Sequence, residues 1–242
     1  MRIPCIEYGG STIKCKMSAV LILMFICSVG GTLVFSGAVL DKQPALNNYA
    51  DTIFNTVLPR HLADRPRVFP LDDIHFKVKS TGITNRELSA EFHNGRLTGL
   101  TTPPALKRFS DCGTVREGRY VIMHCNLLFG QLSASYNGSL DGESLFGSSK
   151  SIDVLAVFTQ PRGYIEVLFL PDVPPKLKSW SMLSLNMVFH FSRPLDLNDE
   201  RTRMFQEQLR RSIGDTVTGV IYGPLKEDLS TSVPEAMLYA LR

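Results

Sequence analysis

The sequence predicts an α+β fold in which a long, strongly curved antiparallel sheet wraps around a long C-terminal amphipathic helix, with a second helix on the N-terminal side. Apolar residues recur at helical spacing between positions 41 and 67 and again after position 198. Between positions 73 and 192 they alternate with polar residues, in runs separated by short turns. Such runs are typical of an antiparallel sheet with one buried and one wet face. A long amphipathic helix needs that apolar face to lie on.

The first 38 residues are predicted to be a secretory signal peptide. No residue from Met17 to Leu40 is charged, Lys14 and Lys16 precede this run, and Ser36–Ala38 supplies small residues at the cleavage positions. The run is also long enough to cross a bilayer, so an anchor retained at 17–40 is the alternative. Both interpretations place residues 39–242, as a single domain, outside the cell.

The charge balance argues against nucleic acid as a partner. The chain has 26 basic and 23 acidic residues, a formal net charge of +3. Three of those basic residues and one acidic residue belong to the first 38 positions, so the remainder is nearly neutral. A nearly neutral domain has no broad positive field for a phosphate backbone.

Each element after the leader follows from its local pattern. One amphipathic helix and a linker are predicted over 41–67, with Pro59 disturbing the last turns. This helix either covers the edge of the core or lies on a membrane surface. Asn94–Gly95 and the segment 160–163 are predicted as hairpin turns, and 171–175 as a break in the strand pattern. Strands are predicted at 74–79, 86–93, 96–100, 120–129, 132–136, 152–159, 164–170 and 182–192.

Cys112 and Cys125 are the only cysteines after the leader. A two-residue turn that begins at Gly118 places them opposite each other at a non-hydrogen-bonded position, close enough for a disulfide. Two buried free thiols are the alternative. Asn137–Ser139 is an acceptor sequence for N-glycosylation in a turn-like setting.

The C-terminal helix begins at a cap formed by Asn198 or Asp199, and Gly223–Pro224 kinks or ends it. Arg201, Arg203 and two further arginines cluster on its polar side, where they are either solvated or near anionic lipid headgroups. Its apolar stripe and the apolar faces of the facing strands are predicted to line a ligand groove. The predicted lining residues are Phe129, Leu132, Leu155, Val157, Leu168, Leu183, Leu185, Met187, Phe189, Phe205, Leu209, Ile213, Val217 and Ile221.

The stretch Gly95–Leu100, followed by Leu106–Asp111 and by a strand ending in Ser133–Tyr136, resembles the group 7 mite allergen family of the tubular lipid-binding superfamily. That superfamily also holds bactericidal/permeability-increasing, lipopolysaccharide-binding, juvenile-hormone-binding and takeout proteins. The order of elements is similar from about Ala45 onward, and Pro103–Pro104 departs from the pattern as an insertion. The resemblance implies a half-length tubular fold with an apolar groove, and a carrier or sensor of lipids and lipopeptides.

No catalytic set is found in the sequence. The five histidines are scattered singly without zinc-binding spacing, and no Gly-x-Ser-x-Gly elbow occurs. No catalytic residue, metal site or cofactor is therefore predicted. The predicted function is a secreted, non-enzymatic protein that holds a lipid or other apolar ligand, such as a microbial lipopeptide, between sheet and helix, or that contacts a membrane surface. The alternatives are an extracellular protein- or microbial-surface-binding module of innate-immune or salivary type with a filled core, a membrane-anchored form, and, last, a secreted hydrolase.

Overall fold

The computed structural model describes residues 43–80, 86–102, 104–143, 149–170 and 173–240, and the predicted leader lies outside them. In these residues the chain forms antiparallel strands and two helices, one at each end, so the α+β class is confirmed. The strands are β1 (Val68–Leu71), β2 (Ile74–Val78), β3 (Leu88–Thr98), β4 (Leu106–Arg108), β5 (Gly113–Glu117), β6 (Tyr120–Phe129), β7 (Ser133–Asp141), β8 (Lys150–Phe158), β9 (Arg162–Leu170), β10 (Val173–Ser184) and β11 (Met187–Phe191).

The strands form two sheets rather than the single curved sheet that was predicted. Sheet A has the order β1-β3-β7-β8-β11, and β2 also pairs with β3. Sheet B has the order β10-β9-β6-β4, and β5 also pairs with β6. The inner faces of both sheets supply buried side chains to one core, for example Phe92 from sheet A and Ile165 from sheet B.

The chain passes between the sheets four times, from β3 to β4, from β6 to β7, from β8 to β9 and from β10 to β11. The predicted hairpin between the strands around 160–163 is therefore wrong, since β8 pairs with β7 while β9 pairs with β6. Backbone hydrogen bonds join the crossing segments: Phe129 N donates to Pro161 O (3.0 Å), and Thr159 N donates to Asn186 O (2.8 Å). These hydrogen bonds join the two sheets at one corner.

Asn94–Gly95 is a bulge inside β3 and not the predicted hairpin turn. Asn94 has a positive φ of 55°, and the pairing of β3 with β7 shifts register between His93 and Arg96. An extra residue on one strand defines a β-bulge, and one class of bulge has a left-handed backbone at its first residue. A Cβ atom on Gly95 would lie 2.4 Å from the Tyr136 ring, so the strand continues here because Gly95 lets that ring pack against it.

The N-terminal helix consists of α1 (Gln43–Thr52), a π-helical segment (Ile53–Val57) and α2 (Leu58–Ala63). The predicted apolar face is buried, with Ala50, Ile53 and Val57 at 0% exposure. Pro59 has no N–H for the carbonyl four residues earlier, and the π segment accommodates that missing hydrogen bond. The helix packs on the C-terminal helix, where Tyr49 Oη donates to Val233 O at 2.8 Å.

The C-terminal helix is longer than predicted. It comprises α3 (Asp199–Val220), a π-helical segment (Ile221–Leu225) and α4 (Lys226–Ala240), so Gly223–Pro224 does not end it. Asn198 is the N-cap, as predicted, and its Oδ1 accepts from Arg201 N at 2.9 Å. The first half of this helix contacts β1 and β2 of sheet A, and α4 contacts β10 of sheet B.

The predicted strand 182–192 is two strands, because the chain leaves sheet B after Ser184 and enters sheet A at Met187. The predicted break at 171–175 is shorter than expected, since β10 already begins at Val173.

Candidate functional site

The predicted lining residues of the C-terminal helix form the centre of the core. Phe205, Leu209, Ile213, Val217 and Ile221 all have 0% exposure. The stripe continues at the same four-residue spacing through Leu225, Leu229, Val233 and Met237, all buried. Side chains of this kind stabilise the fold by their burial, roughly 1.5–3 kcal/mol each.

The predicted lining residues of the strands lie in three different environments. Phe129, Leu132 and Met187 are buried. Val157, Leu168, Leu185 and Phe189 are half-buried, whereas Leu155 and Leu183 are exposed.

Burial alternates along the strands and separates the two faces. In β8 the buried positions are even-numbered, for example Val154 and Ala156, and in β9 they are odd-numbered, for example Val167. Leu155, Val157 and Leu168 therefore lie on outer faces, so they cannot share an inner groove with the helix stripe.

A row of half-buried apolar side chains lies where the ends of β10 and β11 meet the C-terminal helix. We define this apolar seam as Met182, Leu185, Phe189, Phe191 and Tyr222. The first four pack against the core while keeping part of their surface exposed. Tyr222 is 38% exposed. Apolar surface that stays partly open beside a core can accept a further apolar group.

Direct contacts connect the two sides of the seam. The rings of Phe191 and Phe205 have centroids 5.9 Å apart, and the guanidinium of Arg210 lies 5.4 Å from the centroid of Phe189. Tyr222 Oη accepts a hydrogen bond from Met182 N at 2.8 Å. The seam therefore combines an apolar floor with a cation at its rim, an arrangement that suits an amphiphile with an anionic head.

A cleft of about 480 Å³ lies on the outer face of sheet A, and Phe191 is the one seam residue that also lines it. It is lined by Asn94, Arg96, Ser135, Tyr136, Asn137, Asp153, Val154, Leu155, His190, Phe191 and Ser192. Most of these side chains are polar, so this cleft differs from the apolar groove that was predicted.

Asn137 lies in the middle of β7 and not in a turn as predicted. Its side chain is exposed, and its Nδ2 donates to Asp153 Oδ1 at 2.9 Å. Glycosylation of Asn137 stays a prediction.

The disulfide Cys112–Cys125 is present, with Cα atoms 4.5 Å apart. In the β5–β6 hairpin Gly113 pairs with His124 and Glu117 with Tyr120, which is the predicted register. The turn begins at Gly118 with φ 61°. Cys112 N also donates to Asn47 Oδ1 at 3.0 Å, so the bridge lies against the N-terminal helix.

Two of the predicted surface arginines have different environments. Arg201 is 2% exposed, and its guanidinium donates to Gly142 O (2.8 Å) and Arg86 O (2.9 Å). Burial lowers the pKa of Arg201, and the charge of Glu143 opposes that shift. Arg201 therefore joins loop carbonyls in the interior, whereas Arg210 remains exposed beside the seam.

The folded chain gathers two histidines that the sequence had treated as isolated. His75 and His93 lie with Asp73 on the outer face of sheet A, and their potential ligand atoms are all within 4.8 Å of one another. His75 and His93 are 18 positions apart in the sequence, and the pairing of β2 with β3 brings them together. Their spacing in the sequence did not indicate this contact.

No family model matches the chain. The chain is 26% identical over 193 residues to the salivary anticoagulant protein P23 of Ixodes scapularis, a match that covers 77% of this chain and 86% of the relative.

Two solved structures show a weak similarity. Takeout 1 of Epiphyas postvittana has a TM-score of 0.36 and 13% identity, covering 82% of this chain and 91% of the other. Lipopolysaccharide binding protein has a TM-score of 0.36 and 14% identity, covering 76% of this chain and 40% of the other. Both carry names that the sequence resemblance had raised, but TM-scores of this size carry no argument of their own.

Among the residues that the structure describes, no helix has the length and apolar character needed to cross a membrane. The predicted anchor at 17–40 lies outside those residues.

Proposed function

We propose that this chain is a secreted, non-enzymatic binding protein that holds a lipid or another apolar ligand at the apolar seam. The observation that carries the proposal is the row of half-buried side chains Met182, Leu185, Phe189 and Phe191 beside the C-terminal helix. A ligand chain that covers them removes their exposed apolar surface from water, which favours binding by about 25 cal/mol per Å².

The predicted groove is revised accordingly. The helix stripe from Phe205 to Ile221 supports the seam from below, and the ligand contacts come from β10 and β11. Arg210, at the rim, is suited to a carboxylate or phosphate headgroup. The outward-facing Leu155, Val157 and Leu168 take no part.

Secretion is part of the same proposal. A signal peptide cleaved after residue 38 leaves the domain 39–242 outside the cell, in an oxidising compartment where a disulfide persists. The Cys112–Cys125 bridge and the similarity to a protein named as salivary support this location.

The first test is native mass spectrometry of protein purified from a secreting cell, followed by organic extraction and titration with a fluorescent fatty acid. We expect co-purifying lipid and saturable uptake of the probe. Phe189→Glu should weaken probe binding by about tenfold or more, since losing one buried aromatic contact corresponds to at least 1.4 kcal/mol.

Val188→Glu is the matched control, because Val188 is the preceding residue of β11 and is 50% exposed on the outer face. It should bind the probe as the wild type does. Equal binding by both variants, with both folded, would exclude the seam as the site.

A second candidate function is that of a salivary-type module that binds a protein on its surface. Its core would be filled by its own side chains and would hold no ligand. The complete burial of the stripe from Phe205 to Ile221 and the name of the P23 relative favour it. A chain that carries no lipid and takes up no probe would support this alternative, and a protein partner would then be sought.

A further inference from the structure

Asp73, His75 and His93 meet on the outer face of sheet A, at the start of β2. In the β2–β3 pair Ile74 lies opposite Phe92 and His75 opposite Glu91, so the same register places Asp73 opposite His93. Successive side chains of a strand point to opposite faces, and these three share the outer one. The side chains of Asp73 and His93 are 53% and 45% exposed, so an ion from solvent can reach them.

The potential ligand atoms are already close. His93 Nδ1 and Asp73 Oδ2 are 2.8 Å apart, and the ring centroids of His75 and His93 are 5.3 Å apart. All three ligand atoms fall within 4.8 Å of one another. Bonds of about 2.0–2.2 Å to one tetrahedral ion place the ligand atoms roughly 3–3.5 Å apart. The more distant atoms therefore approach and the 2.8 Å pair separates slightly, which side-chain rotation on an exposed strand can supply.

The chemistry of the three groups selects the kind of ion. Two imidazole nitrogens with one carboxylate oxygen suit zinc and its transition-metal neighbours, whereas calcium and magnesium require mainly oxygen ligands. Glu91, opposite His75 on the same face, adds negative charge. The ammonium of Lys77, on the same strand, is paired with Glu87 at 2.8 Å.

We propose that Asp73, His75 and His93 form a binding site for one divalent transition-metal ion, zinc above all. The ion replaces the His93–Asp73 hydrogen bond, joins the start of β2 to β3 beside the Asn94 bulge, and keeps at least one coordination position open to water. This site lies at β2 and β3 and shares no residue with the apolar seam, and it does not depend on the proposed ligand.

The test is isothermal titration calorimetry of Zn²⁺ into the secreted chain, purified without a polyhistidine tag and freed of metal with a chelator. We expect one zinc ion per chain. His75→Gln and His93→Gln should each weaken zinc binding by about tenfold or more. His124→Gln and His190→Gln, which alter histidines of β6 and β11, should leave it unchanged, and calcium and magnesium should give no saturable binding.

Thermal unfolding in chelator checks that each variant is folded, and Asp73→Asn is the additional variant, since it keeps the side-chain shape and removes the carboxylate ligand. Zinc should raise the unfolding temperature of the wild type and not of Asp73→Asn. An absence of one-to-one binding, or unchanged affinity in the His75 and His93 variants, would show that the cluster is only a surface ion pair.

Discussion

Gly95 shows how little space a buried strand position has for one more carbon atom. A Cβ there would lie 2.4 Å from Tyr136 Cε1 and 2.7 Å from Leu71 Cβ, and Tyr136 is 2% exposed. We expect Gly95→Ala to lower the free energy of unfolding by about 1–3 kcal/mol, because the ring and the strand must move apart. Urea denaturation of the wild type and the variant measures this difference in the free energy of unfolding.

Gly219→Ala is the control for that substitution. Gly219 is exposed in α3, and a Cβ there meets no atom within 4 Å. Alanine should raise the free energy of unfolding by about 0.5–1 kcal/mol, because glycine is the poorer helix former. Equal effects of the two substitutions would contradict the packing described around Gly95.

Glu143 is a buried carboxylate whose stability contribution depends on pH. Burial raises the pKa of Glu143, but hydrogen bonds from Arg193 and the Asp196 amide, together with nearby positive charge, outweigh it and hold the pKa below its usual value. Its carboxylate oxygens lie 2.8 and 2.7 Å from the Arg193 guanidinium. The charged form therefore stabilises the folded state above the pKa of an unfolded glutamate, about 4.3, and this contribution is lost as pH falls through the lower folded pKa.

We expect Glu143→Gln to cost about 2 kcal/mol or more at pH 7, the size of a charged hydrogen-bond network. The difference from wild type should narrow as pH is lowered below 4. Glu87→Gln, which breaks the exposed pair with Lys77, should cost less than about 0.5 kcal/mol. Thermal melts across pH test both, and a difference that stays constant with pH would refute the assignment.

The helices and most strands were predictable, because each depends on its own local pattern of apolar residues. The cap at Asn198 and the stripe from Phe205 to Ile221 are examples. The end of the C-terminal helix was not predictable from the sequence. A proline usually breaks a helix, but here a π-helical segment accommodates Pro224 and the helix continues. The Asn94–Gly95 bulge was mistaken for a hairpin turn, since Asn and Gly adopt a left-handed backbone readily and both structures can use one.

The part of the C-terminal helix after Gly223–Pro224 should contribute as much to the core as the part before it. Leu229 has 0% exposure, whereas Leu238 on the same helix is 53% exposed. We expect Leu229→Ala to lower the free energy of unfolding by about 2–5 kcal/mol through the cavity it leaves. Leu238→Ala should change it by less than about 0.5 kcal/mol. Chemical denaturation measures both changes. A small change in the free energy of unfolding for Leu229→Ala would mean that α4 is not part of the core.

The pairing of the strands into sheets was the least predictable part of the fold. A two-residue period identifies a strand and its two faces, but it does not say which strands pair. The strands β8 and β9 are adjacent in sequence and belong to different sheets, and the apolar seam exists only because β10 and β11 end at the same corner. Three residues that were predicted to line the groove, Leu155, Val157 and Leu168, therefore lie on outer faces.

The disulfide closes the β5–β6 hairpin and lies against the N-terminal helix. Cys112 is bridged to β6 and hydrogen-bonds Asn47, while Gln43 Nε2 donates to Cys112 O. Removing the bridge with paired serine substitutions should cost about 2–3 kcal/mol. Hydrogen exchange should increase in α1 and in the hairpin and stay slow in β7 and β8. Uniformly faster exchange would indicate that the bridge acts on the whole core instead.

The four-residue spacing of the C-terminal helix stripe has a mechanical consequence. Residues four apart on an α-helix are offset by about 40°, so the stripe turns by roughly 160° between Phe205 and Ile221. The apolar contact surface therefore winds around the helix axis. The helix cannot slide along this axis unless it also rotates about it. Both motions would break packing with both sheets at once. The strand β11 ends sheet A and pairs with β8 alone, so the proposed function predicts that a ligand enters past β11 and not by displacement of the helix.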